Sequence, residues 1–430
     1  MIAITPPASV SDKTISLPGS KYIANRLLIL AALTEDECQF DNVPINDDIQ
    51  TAQAGLSQLG AQFEMKGGTI SSRGIQGLPS SDETVYTSHS GTFSRFVVAV
   101  SALGEDWISL NGSAKMNSRP MADLFAALRA SGVAIESTGN DTLPARIKGP
   151  ISSETITISG AISSQYISAL LLVAAKMPNG LTLQLTCEPV SKPYLSMTID
   201  LLSTFGIQVE VSEDYQTFNI AGGQRYQATK LSVPTDPSSA SYFLAYAAIN
   251  GCQICLQNYQ PAKSLQGEAK FTEVLEQMGC KVWLDEAGYH CQGPKQLKGV
   301  SVDMGDMPDV VQTLAVVAAF AEGQTHITNI ENLAYKESNR IEDTATELRK
   351  TGLVVDTTAD SMTISPAKLH GAHFNTYDDH RMAMSLGLLG CKLSGITMSD
   401  SDVVSKSFPT YWQYMKQLGL TITDLAEVID

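Results

Sequence analysis

The sequence predicts an α/β protein of two domains. Each is an inside-out α/β barrel: three helix–strand units, with apolar helices parallel in the interior and strands outside. Three observations carry this prediction. A helix–glycine–strand pattern recurs six times along the chain. A second, apolar helix precedes each copy. The length of 430 residues exceeds what one hydrophobic core ordinarily fills, so six units divide naturally into two groups of three.

The first pattern appears as TAQAGLSQLGAQFEM, LFAALRASGVAIES, TIDLLSTFGIQVEV, FTEVLEQMGCKVWL, TATELRKTGLVVDT and YWQYMKQLGLTITD. Its glycines are Gly60, Gly132, Gly206, Gly279, Gly352 and Gly419, spaced by 72, 74, 73, 73 and 67 residues. Glycine just past a helix suits a left-handed C-terminal cap, and the β-branched residues after it suit a strand. The second helix reads NRLLILAAL, SRFVVAVSAL, QYISALLLVAA, SYFLAYAAI, VVQTLAVVAAF and RMAMSLGLLG. These helices are apolar on nearly every side and are therefore buried. Strand-like runs such as WISLNG, LTLQLT and THITNI follow them. A domain boundary is expected near residue 233, in KLSVPTDPSSAS, where Pro234 and Pro237 suit a hinge.

Composition narrows the function. With 43% hydrophobic and 17% charged residues, the chain reads as a soluble globular protein. Net charge is -16, from 45 acids and 29 bases, and no basic tail or stripe is visible. Nucleic acid is therefore not an expected partner, although a local cationic cleft can still bind a small anion. No uncharged apolar run approaches the ~18 residues of a membrane span. The start, MIAITPPASVSDK, lacks the basic and apolar blocks of a signal peptide, so a cytoplasmic location is expected. Seven scattered cysteines fit reduced thiols. Cys252 and Cys255 form a CxxC, but no second ligand pair lies near and the segment is strand-like, so they read as packing residues rather than a metal or redox site.

Polar residues collect at the starts of the apolar helices: Lys21 to Arg26, Ser88 to Arg95, Ser163 to Gln165, Asp236 with Ser238 and Ser239, Asp306 and Asp309, and Asp378 to Arg381. A helix start offers free N–H groups and partial positive charge, and so favours anions. The serines and aspartates there also read as simple N-caps. Cations at such a place oppose the dipole, so Lys21, Arg26, Arg95 and Arg381 point to bound anions, with a buried acid as the other reading for Arg95. Parallel helices would bring three such starts to one face, and two opposed faces would make an anion-attracting cleft. Loop clusters add Lys115 and Arg119, then Ser191, Lys192 and Tyr194, then Lys336, Glu337 and Arg340, and finally Lys406.

In order along the chain stand LPGSKxxxNR, GTxxR, MxxRP, SSQ, VSKPY, SSASYF, PD, KESxR and DDHRMAM. With these motifs the chain resembles the 5-enolpyruvylshikimate 3-phosphate synthases, from LPGSK to SKSFPTYW. The resemblance implies two three-unit domains joined by a double crossover: residues 19–232 on the acceptor-binding side, and 1–18 with 233–430, the active site lying in the cleft between them. It implies transfer of enolpyruvyl from phosphoenolpyruvate to the 5-hydroxyl of shikimate 3-phosphate, by addition and elimination through a tetrahedral ketal, with release of phosphate. It implies no cofactor and no metal, and a monomer.

Carried over by position, Lys21, Gly91, Arg119, Gln165, Arg340, Arg381 and Lys406 match the phosphoenolpyruvate site. Lys21, Tyr22, Arg26, Ser163, Ser164, Gln165, Ser191, Tyr194, Asp309, Asn332 and Lys336 match the shikimate 3-phosphate site, with Arg26 suited to the ring carboxylate. Asp309 matches the acid–base residue at the reacting hydroxyl and Glu337 the proton donor to the methylene carbon, a task Lys21 shares. Several positions depart from the family pattern. Tyr22 replaces a serine, His89 an asparagine, Phe96 a proline, and Lys115 and Ala334 each an arginine. The Tyr22 ring either turns aside or changes the acceptor. Rival readings are a paralogue acting on another cyclic phosphorylated or carboxylated alcohol, the sugar-nucleotide enolpyruvyl transferases, whose loop cysteine NGSAKMNSRP lacks, and a non-catalytic anion-binding protein on the same scaffold.

Overall fold

The six repeat glycines sit in the left-handed region, with φ from 80° at Gly206 to 107° at Gly60. Each thus ends its helix where a side chain would be strained and turns the chain into a strand. The computed structural model describes residues 1–425. The chain forms two compact units, Gly19–Val233 and Met1–Pro18 with Pro234–Asp430. It therefore passes from one to the other at Pro18–Gly19 and again at Val233–Pro234.

Among the described residues, six four-stranded sheets repeat one plan, three in each unit. In each, one edge strand pairs in parallel with its neighbour and the remaining pairings are antiparallel. In one sheet Lys230–Ser232 runs parallel to Glu37–Asp41, which pairs antiparallel with Thr69–Arg73, and that with Gln62–Lys66. The same plan recurs with Val85–Tyr86, Ile108–Asn111, Ala145–Lys148 and Ala134–Ser137. The N-terminal strands Ile2–Thr5 and Lys13–Ile15 complete two sheets of the other unit, Lys13–Ile15 pairing with Gln253–Leu256. A short parallel pair, Leu297–Lys298 with Ala321–Glu322, is additional.

The apolar helices are Lys21–Leu33, Gly91–Ser101, Ser164–Val173, Pro237–Asn250, Val311–Ala318 and His380–Gly387. Every residue of Lys21–Leu33 and of Val311–Ala318 is buried, as expected for helices apolar all round. Where such helices meet, small hydroxyls fix their alignment. Ser241, Thr313 and Ser385 lie at matching positions, and Thr313 Oγ1 is 3.3 Å from each of the other two hydroxyls. Buried hydroxyls need such partners, so this contact sets the register of the three helices.

Side-chain caps hold several helix starts. Ser20, Ser163 and Asp379 accept from the N–H of Ile23, Gln165 and Arg381 respectively. One expectation needs correcting. The cap before Pro237–Asn250 is Asp236, not Ser238 or Ser239; Asp236 accepts from the Ser238 N–H and from the Ser239 hydroxyl. Pro237 at the first helical position leaves the cap one residue upstream of the serines.

Among the described residues no helix is long and apolar enough to cross a membrane, and no group of three His, Cys, Asp or Glu could hold a metal ion. Cys252 and Cys255 are buried free thiols, and burial pushes the Cys252 thiol up to about 11. A thiol so protonated packs rather than reacts.

Candidate active site

The residues singled out in sequence form two clusters, one in each unit. In Gly19–Val233, Lys21 opens its helix with its ammonium 2.9 Å from Asp48, both side chains under one-tenth exposed. Asp48 lies in the first turn of Asp47–Gln58, where Asn46 caps the helix by accepting from the Ile49 N–H. Sequence reasoning missed Asp48. Its signal was the NDDIQ run, a cap followed by two acids in a first turn.

Arg26 lies about a turn and a half beyond Lys21 on the same helix and is 1% exposed. Its Nε donates to Thr198 Oγ1 at 2.7 Å and its Nη1 to the Tyr22 carbonyl at 3.0 Å. Its Nη2 donates to Ser168 Oγ and the Tyr194 carbonyl, both at 3.4 Å. The guanidinium carbon stands 5.3 Å from the Phe96 ring centroid and 5.8 Å from that of Tyr194. Among the described residues no carboxylate pairs with it. Burial pushes the guanidinium down to about 10, against smaller opposing effects of Tyr194 and Tyr22. Such a cation is held by neutral oxygens and ring faces alone. Phe96, a departure from the family pattern, thus packs directly on Arg26.

Tyr22 has not swung out to solvent. It is 7% exposed and its ring lies 5.2 Å from the Tyr194 ring at 57°. Ser164 is buried, and Ser163 spends its hydroxyl on the cap. Ser191 adopts φ 53° at the start of Lys192–Thr204, and its carbonyl accepts from the Tyr194 N–H at 3.1 Å. Lys192 turns away to an exposed pair with Glu188 at 2.6 Å.

Gly91 begins its helix beneath two guanidinium groups. A β-carbon there would lie 2.4 Å from Arg119 Nη1 and 2.8 Å from Arg95 Nη1. Hydrogen is the only side chain that lets Arg119 lie this close. Arg95 donates to the carbonyls of Gly91 at 2.9 Å and Pro120 at 3.3 Å. The Tyr166 hydroxyl also reaches the Pro120 carbonyl, at 2.6 Å, so the Arg119–Pro120 turn is pinned twice. Gln165 donates to Thr92 Oγ1 at 3.1 Å, tying two helix starts together. His89 is exposed, its Nδ1 3.0 Å from Ser113 Oγ.

The other unit carries an ion lattice. Arg340, 1% exposed, donates to Asp309 at 2.9 Å, to Glu337 at 2.9 Å and to both oxygens of Asp379 at 2.8 and 3.1 Å. Burial opposes its charge, but Asp379, Glu337 and Asp309 outweigh burial and hold its pKa above the ordinary arginine value. Arg381 donates to Asp309 at 3.3 Å and to the Tyr242 hydroxyl at 3.1 Å. Lys406 donates to the other oxygen of Glu337 at 2.7 Å. Asn332 lies in the 3-10 turn Glu331–Tyr335, and Lys336 follows it directly.

Three buried cations of this unit are bonded to three carboxylates of the same chain, because an uncompensated charge at this depth is costly. Asp379, fully buried, was legible only as a helix-start aspartate. Its role in fixing Arg340 was not, since the two are 39 residues apart. The candidate residues for each substrate also divide between the units. Lys21, Gly91, Arg119 and Gln165 lie in one, and Arg340, Arg381 and Lys406 in the other.

Comparison with known proteins gives this geometry a family. A sequence model of the EPSP synthase (3-phosphoshikimate 1-carboxyvinyltransferase) family matches residues 4–415. The 3-phosphoshikimate 1-carboxyvinyltransferase of Trichormus variabilis is 37% identical over 422 residues, covering 95% of this chain and 97% of its own length. That of Proteus mirabilis is 38% identical over 416 residues, covering 95% and 96%. The solved structure of EPSP synthase from Acinetobacter baumannii matches with a TM-score of 0.80 at 26% identity, covering 98% of this chain and 99% of that one. The chain belongs to the EPSP synthase family.

Proposed function

We propose that this chain transfers the enolpyruvyl group of phosphoenolpyruvate to the 5-hydroxyl of shikimate 3-phosphate and releases phosphate. One observation carries the reading beyond family membership. Arg340, Arg381 and Lys406 are interlaced with Asp309 and Glu337 at 2.7 to 3.3 Å, so groups able to bind anions stand beside groups able to move protons, which supports the reading. The two clusters serve one reaction, with Gly19–Val233 the acceptor-binding side. The chain works as a cytoplasmic monomer without cofactor or metal.

In the first step the acceptor oxygen bonds to C2 of phosphoenolpyruvate while C3 takes a proton, giving a tetrahedral ketal. In the second, the bond from C2 to the phosphate oxygen breaks as C3 loses a proton, and the double bond returns. Asp309 accepts the proton of the reacting hydroxyl. Glu337, with Lys21 sharing the task, delivers the proton to C3 and takes one back in the second step, while Asp309 passes its proton to the departing phosphate. The ion lattice couples binding to this chemistry. Substrate anions compete for Arg340, Arg381 and Lys406, and so loosen the hold of those cations on Asp309 and Glu337. Asp309 is then freed to accept a proton, and Glu337 to carry one. Arg119, Lys21 and Gln165 complete the phosphoenolpyruvate contacts. Arg26, Ser163, Ser164, Ser191, Tyr194, Asn332 and Lys336 hold the acceptor, with Tyr22 as a wall beside Tyr194. Charge-assisted contacts of this kind contribute about 1.5–3 kcal/mol each and fix orientation as well.

Phosphate release by the purified protein with both substrates tests the reading. Release that requires shikimate 3-phosphate supports it. No release with that acceptor, but release with another cyclic alcohol, would replace it with the paralogue that Tyr22 would then mark.

A further inference from the structure

Two residues outside the proposed substrate contacts, Glu347 and Tyr377, join an unusual turn to the ion lattice. Residues 376–379 form a tight turn, closed by the Asp379 N–H donating to the Thr376 carbonyl at 2.9 Å. Its two central residues, Tyr377 and Asp378, sit at φ 55° and 54°. Positive φ at both central positions characterises the type I′ turn, which glycine, asparagine and aspartate favour. A tyrosine there is strained, so the surroundings must hold it in place.

Glu347 supplies the hold. It is fully buried in the helix Arg340–Arg349 and accepts from the Tyr377 hydroxyl at 2.7 Å and from the Asn375 N–H at 3.0 Å. Lys350, 2.7 Å away, balances its charge. The turn leads directly into Asp379, which binds Arg340 through two nitrogens, takes the Ser338 hydroxyl at 2.9 Å and caps the helix that carries Arg381. Glu347 and Arg340 stand two turns apart on one helix, so the contacts close a loop: helix, turn, Asp379 and back to the helix.

We propose that Glu347 and Tyr377 are positioning residues for phosphoenolpyruvate, a strut that holds the strained turn and through Asp379 aims Arg340 and Arg381. This rests on the reaction proposed above. Neither residue touches substrate; both act through Asp379.

Tyr377→Phe removes one oxygen from the strut, and Glu347→Gln removes its charge. The expected result for both is a rise of about tenfold in the KM for phosphoenolpyruvate, with the KM for shikimate 3-phosphate and kcat within about twofold. An unchanged phosphoenolpyruvate KM in both variants would overturn the proposal. So would parallel loss of both affinities and kcat with a fall in Tm, which is general destabilisation. Wild-type activity tests the reaction, whereas only the variant-to-wild-type ratio tests the strut. Backbone hydrogen exchange over residues 375–381 reads the strut without substrate. It should speed up in Tyr377→Phe, and unchanged exchange there would equally overturn the proposal.

Discussion

Gly91→Ala separates substrate binding from stability. The added methyl would lie 2.4 Å from Arg119 Nη1 and 2.8 Å from Arg95 Nη1. Ordinary contacts between such atoms are about 3.5 Å, so the Arg119 guanidinium must retreat by about 1 Å. Its far end is flexible and accommodates this cheaply. Gly91 is the first residue of its helix and lies outside the positive-φ region, so alanine fits the backbone. Alanine is also the better helix former, by about 1 kcal/mol in a helix interior and by less at this first position. Tm should therefore hold or rise. Binding should not, because a charge-assisted hydrogen bond is worth about 1.5–3 kcal/mol and each 1.4 kcal/mol is about tenfold. The phosphoenolpyruvate KM should rise between about 10- and 150-fold, with the shikimate 3-phosphate KM nearly unchanged. Steady-state kinetics varying each substrate in turn, with a thermal melt of both proteins, decides it. An unchanged phosphoenolpyruvate KM, or an equal rise for both substrates, would refute the placement of Arg119.

The remaining predictions concern four other side chains. Asp309→Asn should lower kcat by about 100-fold or more while shikimate 3-phosphate still binds in a calorimeter; retained turnover would remove Asp309 from proton transfer. Asp48→Asn removes the carboxylate 2.9 Å from the buried Lys21 ammonium and should lower stability in urea unfolding, by up to about 3–5 kcal/mol. Tyr22→Ser should cost about 3 kcal/mol of stability, because the ring packs on Tyr194, and leave the acceptor KM within about threefold. A large gain in acceptor affinity would instead make the ring an obstacle. Arg26 predicts a pH response. Burial lowers its pKa from the ordinary arginine value to about 10, so the folded state binds fewer protons than the unfolded chain between those two values. Its burial penalty is therefore fully present below about pH 10 and eases as pH rises through that window, so its contribution to stability rises there. If Arg26 holds the acceptor carboxylate as proposed, acceptor affinity should fall as pH passes 10.

Much of the architecture was legible because it is local and repeated. A glycine past a helix and an apolar helix before it are short-range signals, and six copies at a nearly constant step reinforce one another. Candidate site residues were legible where motif residues stand side by side, as in Lys21 to Arg26. It was not legible where charge is balanced at a distance. Asp48 reaches Lys21 across 27 residues, Asp379 reaches Arg340 across 39, and Thr198 reaches Arg26 across 172. Nothing in composition or spacing pairs these residues. The same limit explains why cations at helix starts pointed to bound anions while their partners within the chain stayed hidden. A sequence displays its charges but not which of them the fold has already neutralised.

Phosphoenolpyruvate labelled with carbon-13 at C2, incubated with shikimate 3-phosphate and the protein, tests the central claim most directly. By NMR the label should move into a vinyl ether on the acceptor as free phosphate appears, one phosphate for each ether. The acceptor should keep its own phosphate. Label recovered as pyruvate, or an acceptor left unchanged while phosphate is released, would contradict enolpyruvyl transfer.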